Sequence, residues 1–174
     1  LQDDAILDSD KLKEMGKYFE DYKDVEQQSY LENFSKLLQS KVKKTIAQDF
    51  SEMKYERVVS VYEESPSLSQ TVAQDENTAW QIAESYRNLQ KNTEAINFHR
   101  VVSNNNPNSI RGFKSSYWVS YLSHLEEQNA KVLGQNTTSN NLSKQSKEFD
   151  NLSYNVWIEL SSEDKNVLLN EFNL

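Results

Sequence analysis

The sequence predicts an all-α fold, and three observations carry that prediction. Punctuation is sparse: three glycines (Gly16, Gly112, Gly134) and two prolines (Pro66, Pro107) in 174 residues, where a sheet protein of this length needs many more turn signals. Apolar residues recur at the three- and four-residue spacing of one helix face along most of the chain. Between those runs stand short clusters of Asn, Ser and Asp, the residues that start helices. With 36% hydrophobic residues and nineteen aromatic ones, the chain has the composition of a folded core rather than of a disordered segment.

The elements follow in order. Residues 1–10 are polar and expected to fray. From Lys11, the positions Leu12, Met15, Phe19 and Tyr22 form one helical stripe, and Leu31, Phe34, Leu38, Val42 and Ile46 form a longer one. "DFSE" reads as a capping box, with Asp49 as cap and Glu52 reaching back. It opens a helix with Tyr55, Val58, Val59 and Tyr62 on one side. At "SPS", Ser65 is placed as the next cap and Pro66 as the first helical residue, where a missing amide hydrogen costs nothing. The pattern from there to Gln90 is long, with "QDEN" available as a break. Asn92 caps the next helix, which runs to about Ser103. "NNNPNS" repeats the junction logic, with Asn106 as cap and Pro107 first in the helix that carries Phe113, Tyr117, Tyr121 and Leu125. "GQNTTSNN" (134–141) reads as a loop, and 142–174 as closing helices through Phe149, Leu152, Val156 and Leu160. About eight helices with short connections favour antiparallel neighbours within a single helical domain over 1–174.

One stretch, "NTAWQIAESYRNLQKNTEAINFHRVVSNNNP" (77–107), carries a finer pattern. Ala79, Ile82, Ala83 and Tyr86 are spaced along its first helix, Ala95 and His99 along its second, and Pro107 closes it. Small Ala83 and Ala95 would let two antiparallel helices approach, with the Tyr86 ring wedged beside the crossing. These places resemble the tetratricopeptide repeat, a helix–turn–helix unit of about 34 residues. Ala79 stands where the family has tryptophan, and His99 where it has an aromatic. Degenerate echoes lie upstream, at Val58 and Tyr62, and downstream, at Tyr117, Tyr121 and Ala130, so the resemblance covers residues 52–133. It implies antiparallel helix hairpins stacked as a short right-handed superhelix, with irregular capping helices at its ends.

The resemblance further implies a non-catalytic protein–protein interaction module, an adaptor or scaffold in a larger assembly such as a bacterial envelope or motility system. It would bind a peptide or protein segment in a groove lined by the first helices of successive units. Carried over, the groove places are Asn77, Trp80, Gln81, Glu84, Arg87 and Asn88, followed by Lys114, Trp118 and Tyr121. From the residues alone, Trp80 lies off the Ala79–Ile82–Ala83–Tyr86 stripe and either packs on a neighbouring helix or faces outward. Two other readings stay open: a structural subunit that self-associates through exposed aromatic helix faces, and a helical bundle with a small-molecule pocket.

Charge and motifs narrow the rest. A formal charge of −8 repels polyanions, so no nucleic-acid partner is expected, and a protein partner would be basic. No cysteine is present, which leaves no thiol chemistry or cysteine-ligated metal and fits the cytoplasm, the periplasm or the cell exterior equally. No run approaches the length of a membrane span. Leu1 in place of methionine reads as a processed form or an excised segment. His99 sits on an inward stripe, and His124 has Glu127 and Gln128 on its side but no third ligand. The acidic pairs at 3–4, 63–64 and 126–127 are neighbours in sequence, not carboxylates flanking a cleft. With no phosphate loop, H-E-x-x-H or G-x-S-x-G elbow, neither an enzyme nor a cofactor is expected.

Overall fold

The computed structural model describes residues 9–22, 28–64 and 74–171, with side chains from Asp10 onward in the first stretch and from Glu32 in the second. Secondary structure among these residues is entirely helical. Eight helices occur there: α1 (Ser9–Tyr22), α2 (Gln28–Ser51), α3 (Tyr55–Glu63), α4 (Glu76–Asn88), α5 (Asn92–Asn105), α6 (Ile110–Val132), α7 (Asn136–Glu159) and α8 (Ser162–Glu171). The junction expected at Ser65 and Pro66, and most of the 1–10 tail, lie outside the described residues. Contacts gather into two compact units, Leu1–Lys91 and Asn92–Leu174.

In the first unit α2 packs against α1, α3 and α4, and α3 packs against α4. The core follows the sequence stripes: Leu12 of α1, Leu38, Val42 and Ile46 of α2, Val58, Val59 and Val61 of α3, and Ala79, Ile82, Ala83 and Tyr86 of α4. Each buried Leu, Val or Ile side chain contributes about 1.5–3 kcal/mol relative to an exposed one. Tyr22 departs from its expected stripe and is exposed beside Tyr18, with ring centroids 4.5 Å apart.

The expected capping box at Asp49 is not the start of a helix. α2 runs through it to Ser51, and Asp49 lies buried in the last turn, 3.5 Å from Arg57 Nε. The turn is made one step later. Met53 takes φ 58°, its amide donates to Phe50 O at 3.0 Å, and the Lys54 amide donates to Asp49 O at 2.8 Å. This pair of bonds ends a helix by satisfying carbonyls that would otherwise lack donors. The same device recurs after α4 and after α6. Gln90 (φ 59°) and Gly134 (φ 71°) take the left-handed place, and Lys91 and Gln135 donate to Tyr86 O (3.0 Å) and Ala130 O (2.8 Å). Each next helix begins two residues after the left-handed one. The stretch read as a loop over 134–141 is therefore only this tight turn, and α7 is helical from Asn136.

In the second unit α6 packs against both α5 and α7. The row through Tyr117, Tyr121 and Leu125 faces outward, all three being exposed. The buried positions are small, namely Gly112, Ser115, Ser116, Val119, Ser123 and Ala130, with Leu122 and Glu127. Ser116 Oγ meets Ser103 Oγ at 2.6 Å, and Ser115 Oγ meets His99 Nδ1 at 3.3 Å, tying α6 to α5. Ser146 of α7 donates to Ser120 O at 3.0 Å. The helix start expected at Asn106 and Pro107 also moves. Pro107 is an exposed turn residue, and Ser109 is the cap, accepting from the Gly112 amide at 2.9 Å. The start of α6 then packs on the end of the hairpin: Ile110, Phe113, Leu152 and Trp157 surround buried Val156, Leu160 and Leu168. Ser161 caps α8, accepting from the Asp164 amide at 3.0 Å.

Gly112 leaves no room for a side chain, since a Cβ there would sit 2.0 Å from Asn106 O and 2.9 Å from Pro107 O. Gly112→Ala should therefore lower stability by about 1–3 kcal/mol, read from the urea midpoint. Gln90→Gly should act in the opposite direction and add up to about 1 kcal/mol, because glycine adopts the left-handed turn without the steric cost borne by an L side chain.

Candidate functional site

The predicted groove residues fall on two helices in different units, so each face is described by itself. α4 starts because Asp75 accepts from the Thr78 amide at 3.0 Å and the Thr78 hydroxyl at 2.8 Å. This fixes the break available at "QDEN". Ala79, Ile82, Ala83 and Tyr86 then turn inward. Tyr86 is buried, its hydroxyl donates to Glu63 Oε1 at 3.1 Å, and Lys91 Nζ lies 5.7 Å from its ring centroid. Ala95 and His99 of α5 are also fully buried.

On the remaining side of α4, Asn77 and Asn88 are exposed, Trp80, Gln81 and Arg87 are half-buried, and Glu84 is buried. Arg87 is not an open cation. Its Nε and Nη2 donate to Glu84 Oε2 at 3.1 and 2.6 Å. Asn88 Nδ2 donates to Glu84 O at 2.8 Å. Glu84 thus holds Arg87 and Asn88 on this face, beside a partly covered tryptophan.

The second face lies on α6. Tyr117, Trp118 and Tyr121 form one aromatic cluster: Tyr117 stacks on Tyr121 with centroids 6.2 Å apart, and Trp118 meets the edges of Tyr117 and Tyr121 at 5.3 and 5.9 Å. Tyr117 and Tyr121 expose 40% and 45% of their surface, enough for a partner to cover. Lys114 is bonded to Glu171 of α8 and half-buried, so it too is engaged within the unit. The sequence places Trp118 and Tyr121 among the candidates but offers Tyr117 only as a degenerate echo of the repeat. The signal available was the run of serines one step round the helix.

The second unit also holds a half-open cleft of about 370 Å³ that the sequence did not foretell. It lies where α5, the end of α6 and the start of α7 meet, over Ile96, Ala130 and Leu142. Its rim carries Glu126 and several side-chain amides. At the next residue of α6, buried Glu127 binds Lys131 Nζ at 2.7 Å and faces His124 Nδ1 at 3.3 Å. Among the described residues no grouping of His, Asp and Glu has the makings of a metal site, and no helix is long and apolar enough to cross a membrane.

Among the described residues Glu52, Asp75 and Glu127 are carboxylates held below the ordinary pKa, and the last two bear on the regions above. The hydrogen bond from Lys131 holds Glu127 below the ordinary carboxylate pKa, against the opposing effect of burial and with help from Ser143 of α7. For Asp75, burial pushes the pKa up, but the Thr78 amide and hydroxyl and Lys43 together outweigh it, and the net shift is downward. A carboxyl group with a depressed folded-state pKa adds stability that is complete above its unfolded value and lost as pH falls through the folded one. Urea midpoints should thus fall below about pH 4. Asp75→Asn, which keeps a capping acceptor, should flatten part of that fall. Comparison with family models, with curated proteins and with solved structures gives no match.

Proposed function

We propose that this chain is a non-catalytic protein-binding module of the tetratricopeptide-like kind, an adaptor that holds a basic peptide or protein segment. The observation that carries the reading is the cluster of Tyr117, Trp118 and Tyr121 on the outer side of α6. Aromatic residues supply much of the energy at the centre of protein interfaces, and tyrosine does so at low conformational cost. A charge of −8 favours a basic partner and speeds its encounter. The repeat-like reading has its own support in the turn shared at Met53, Gln90 and Gly134 and in buried Ala79, Ala83 and Ala95. The uneven spacing of those turns and the exposed Pro107 weigh against a strict repeat.

A photo-reactive benzoylphenylalanine at position 121 tests the face directly, with the same group at exposed Glu148 of α7 as control. Irradiation in extract of the native source should give a discrete protein adduct at 121 and not at 148. Replacing both Tyr117 and Tyr121 by serine should weaken capture of that protein at least about tenfold while the melting temperature stays within a few degrees. Equal labelling at both positions, or undiminished capture by the double variant, would remove the face.

Self-association is the second reading, favoured by the exposed Tyr154 and Ile158 one turn apart on α7. A sedimentation coefficient that rises with protein concentration, and no longer does so in Tyr154→Ser/Ile158→Ser, would establish it; a concentration-independent monomer would exclude it.

A further inference from the structure

We propose that the cleft between α5, α6 and α7 binds a primary ammonium that carries an apolar group and a carbonyl acceptor. That is the chemistry of an amino-acid amide or of the first residue of a peptide. The site lies wholly within the second unit and is separate from the aromatic face, so either can fail without the other.

Its charge comes from one residue. Glu126 is the one ionisable side chain lining the cleft, and no lysine or arginine lines it to neutralise that carboxylate. Asn92 Nδ2 donates to Glu126 Oε1 at 2.7 Å, and Asn129 Nδ2 approaches the same oxygen at 3.5 Å. Two amides from different helices thus fix the orientation of the carboxylate. No hydrogen bond or ion pair from the described residues engages its Oε2, which is left for a cation. An ammonium suits it, with three donors that can satisfy Oε2 and neighbouring amide oxygens. A divalent metal does not, because a lone carboxylate among amides supplies too little negative charge.

The second requirement comes from α7. Gln145 lines the cleft, and its Nε2 is buried with no acceptor among the described residues. A buried donor without an acceptor is costly, and a ligand carbonyl supplies what it lacks. The third comes from the floor, where Ile96, Ala130 and Leu142 offer apolar surface to an aliphatic group. A volume of about 370 Å³ lies at the small end of ligand pockets, which span roughly 300–1,000 Å³. It matches a single residue better than a long peptide. The protein's negative charge raises the local concentration of cations.

L-leucinamide presents all three groups and is the probe. Titrated into the ¹⁵N-labelled full chain, it should shift the backbone amides of Ile96, Ala130 and Leu142 with a saturable curve. N-acetyl-leucinamide, in which acetylation removes the ammonium, should not. Glu126→Gln should weaken binding at least about tenfold and Gln145→Leu by about three- to tenfold, while Glu163→Gln on exposed α8 leaves it unchanged. The peptide Leu-Gly-Gly separates the two sources: tighter binding than leucinamide assigns the cleft to a peptide N-terminus, and equal or weaker binding assigns it to a free amine. Absence of a saturable shift up to about 50 mM, where a millimolar Kd is evident, overturns the proposal. So does equal binding of the acetylated compound, a comparison made on the unmodified chain that needs no variant to fold.

Discussion

The second unit depends on how closely the start of α6 lies to the backbone before it. At Gly112 the Asn106 carbonyl fills the place of a Cβ, and no larger residue fits without moving main chain. From that point the seam between α5 and α6 is built of side chains short enough to keep the helices near. Ser103 and Ser116 meet hydroxyl to hydroxyl, and Ser115 meets His99. Helix separation follows the size of the side chains at the contact, and here they are among the smallest available. Buried serines would be a liability if left unpaired, but Ser116 also donates to Gly112 O at 3.0 Å, and so the seam is both tight and largely satisfied.

That tightness determines the surface. With serine and glycine occupying the inner positions of α6, the large rings of the same helix have no space inside, and Tyr117 and Tyr121 stand outward with Trp118 beside them. The aromatic face is thus a consequence of packing. Further along α6, Glu126 lines the cleft and Glu127, the next residue, is buried with Lys131. Adjacent carboxylates that looked equivalent in sequence therefore face different surroundings, one available to a ligand and one consumed by its own unit.

The chain also reuses one way of turning. A left-handed residue, then one linking residue, then a new helix: this occurs at Met53, Gln90 and Gly134, although a single one of the three is glycine. The amide bonds back to Asp49 O, Tyr86 O and Ala130 O close the preceding helix each time. At Met53 and at Gly134 the consecutive helices pack on each other, α2 with α3 and α6 with α7. The first unit adds charge at its turns. Asp75 is held by Thr78 and Lys43 (3.3 Å), and Glu63 by Tyr86 and Lys91 (3.7 Å).

What the sequence by itself determined is the helical class and the inward stripes of the first unit. Leu38, Val42, Ile46 and the Ala79–Ile82–Ala83–Tyr86 row are apolar at helical spacing, and burying apolar surface needs no knowledge of the neighbour. Helix limits were less legible where a local signal has two meanings. "DFSE" can cap a start or sit in a last turn, and proline can open a helix or occupy the turn before it. The inner face of α6 was not legible at all. Rings and aliphatics mark a core in a sequence, but a close helix crossing selects serine and glycine, which in a sequence look like surface. The tertiary structure alone decided that side, because only the distance between two backbones determines whether a ring or a hydroxyl fits between them.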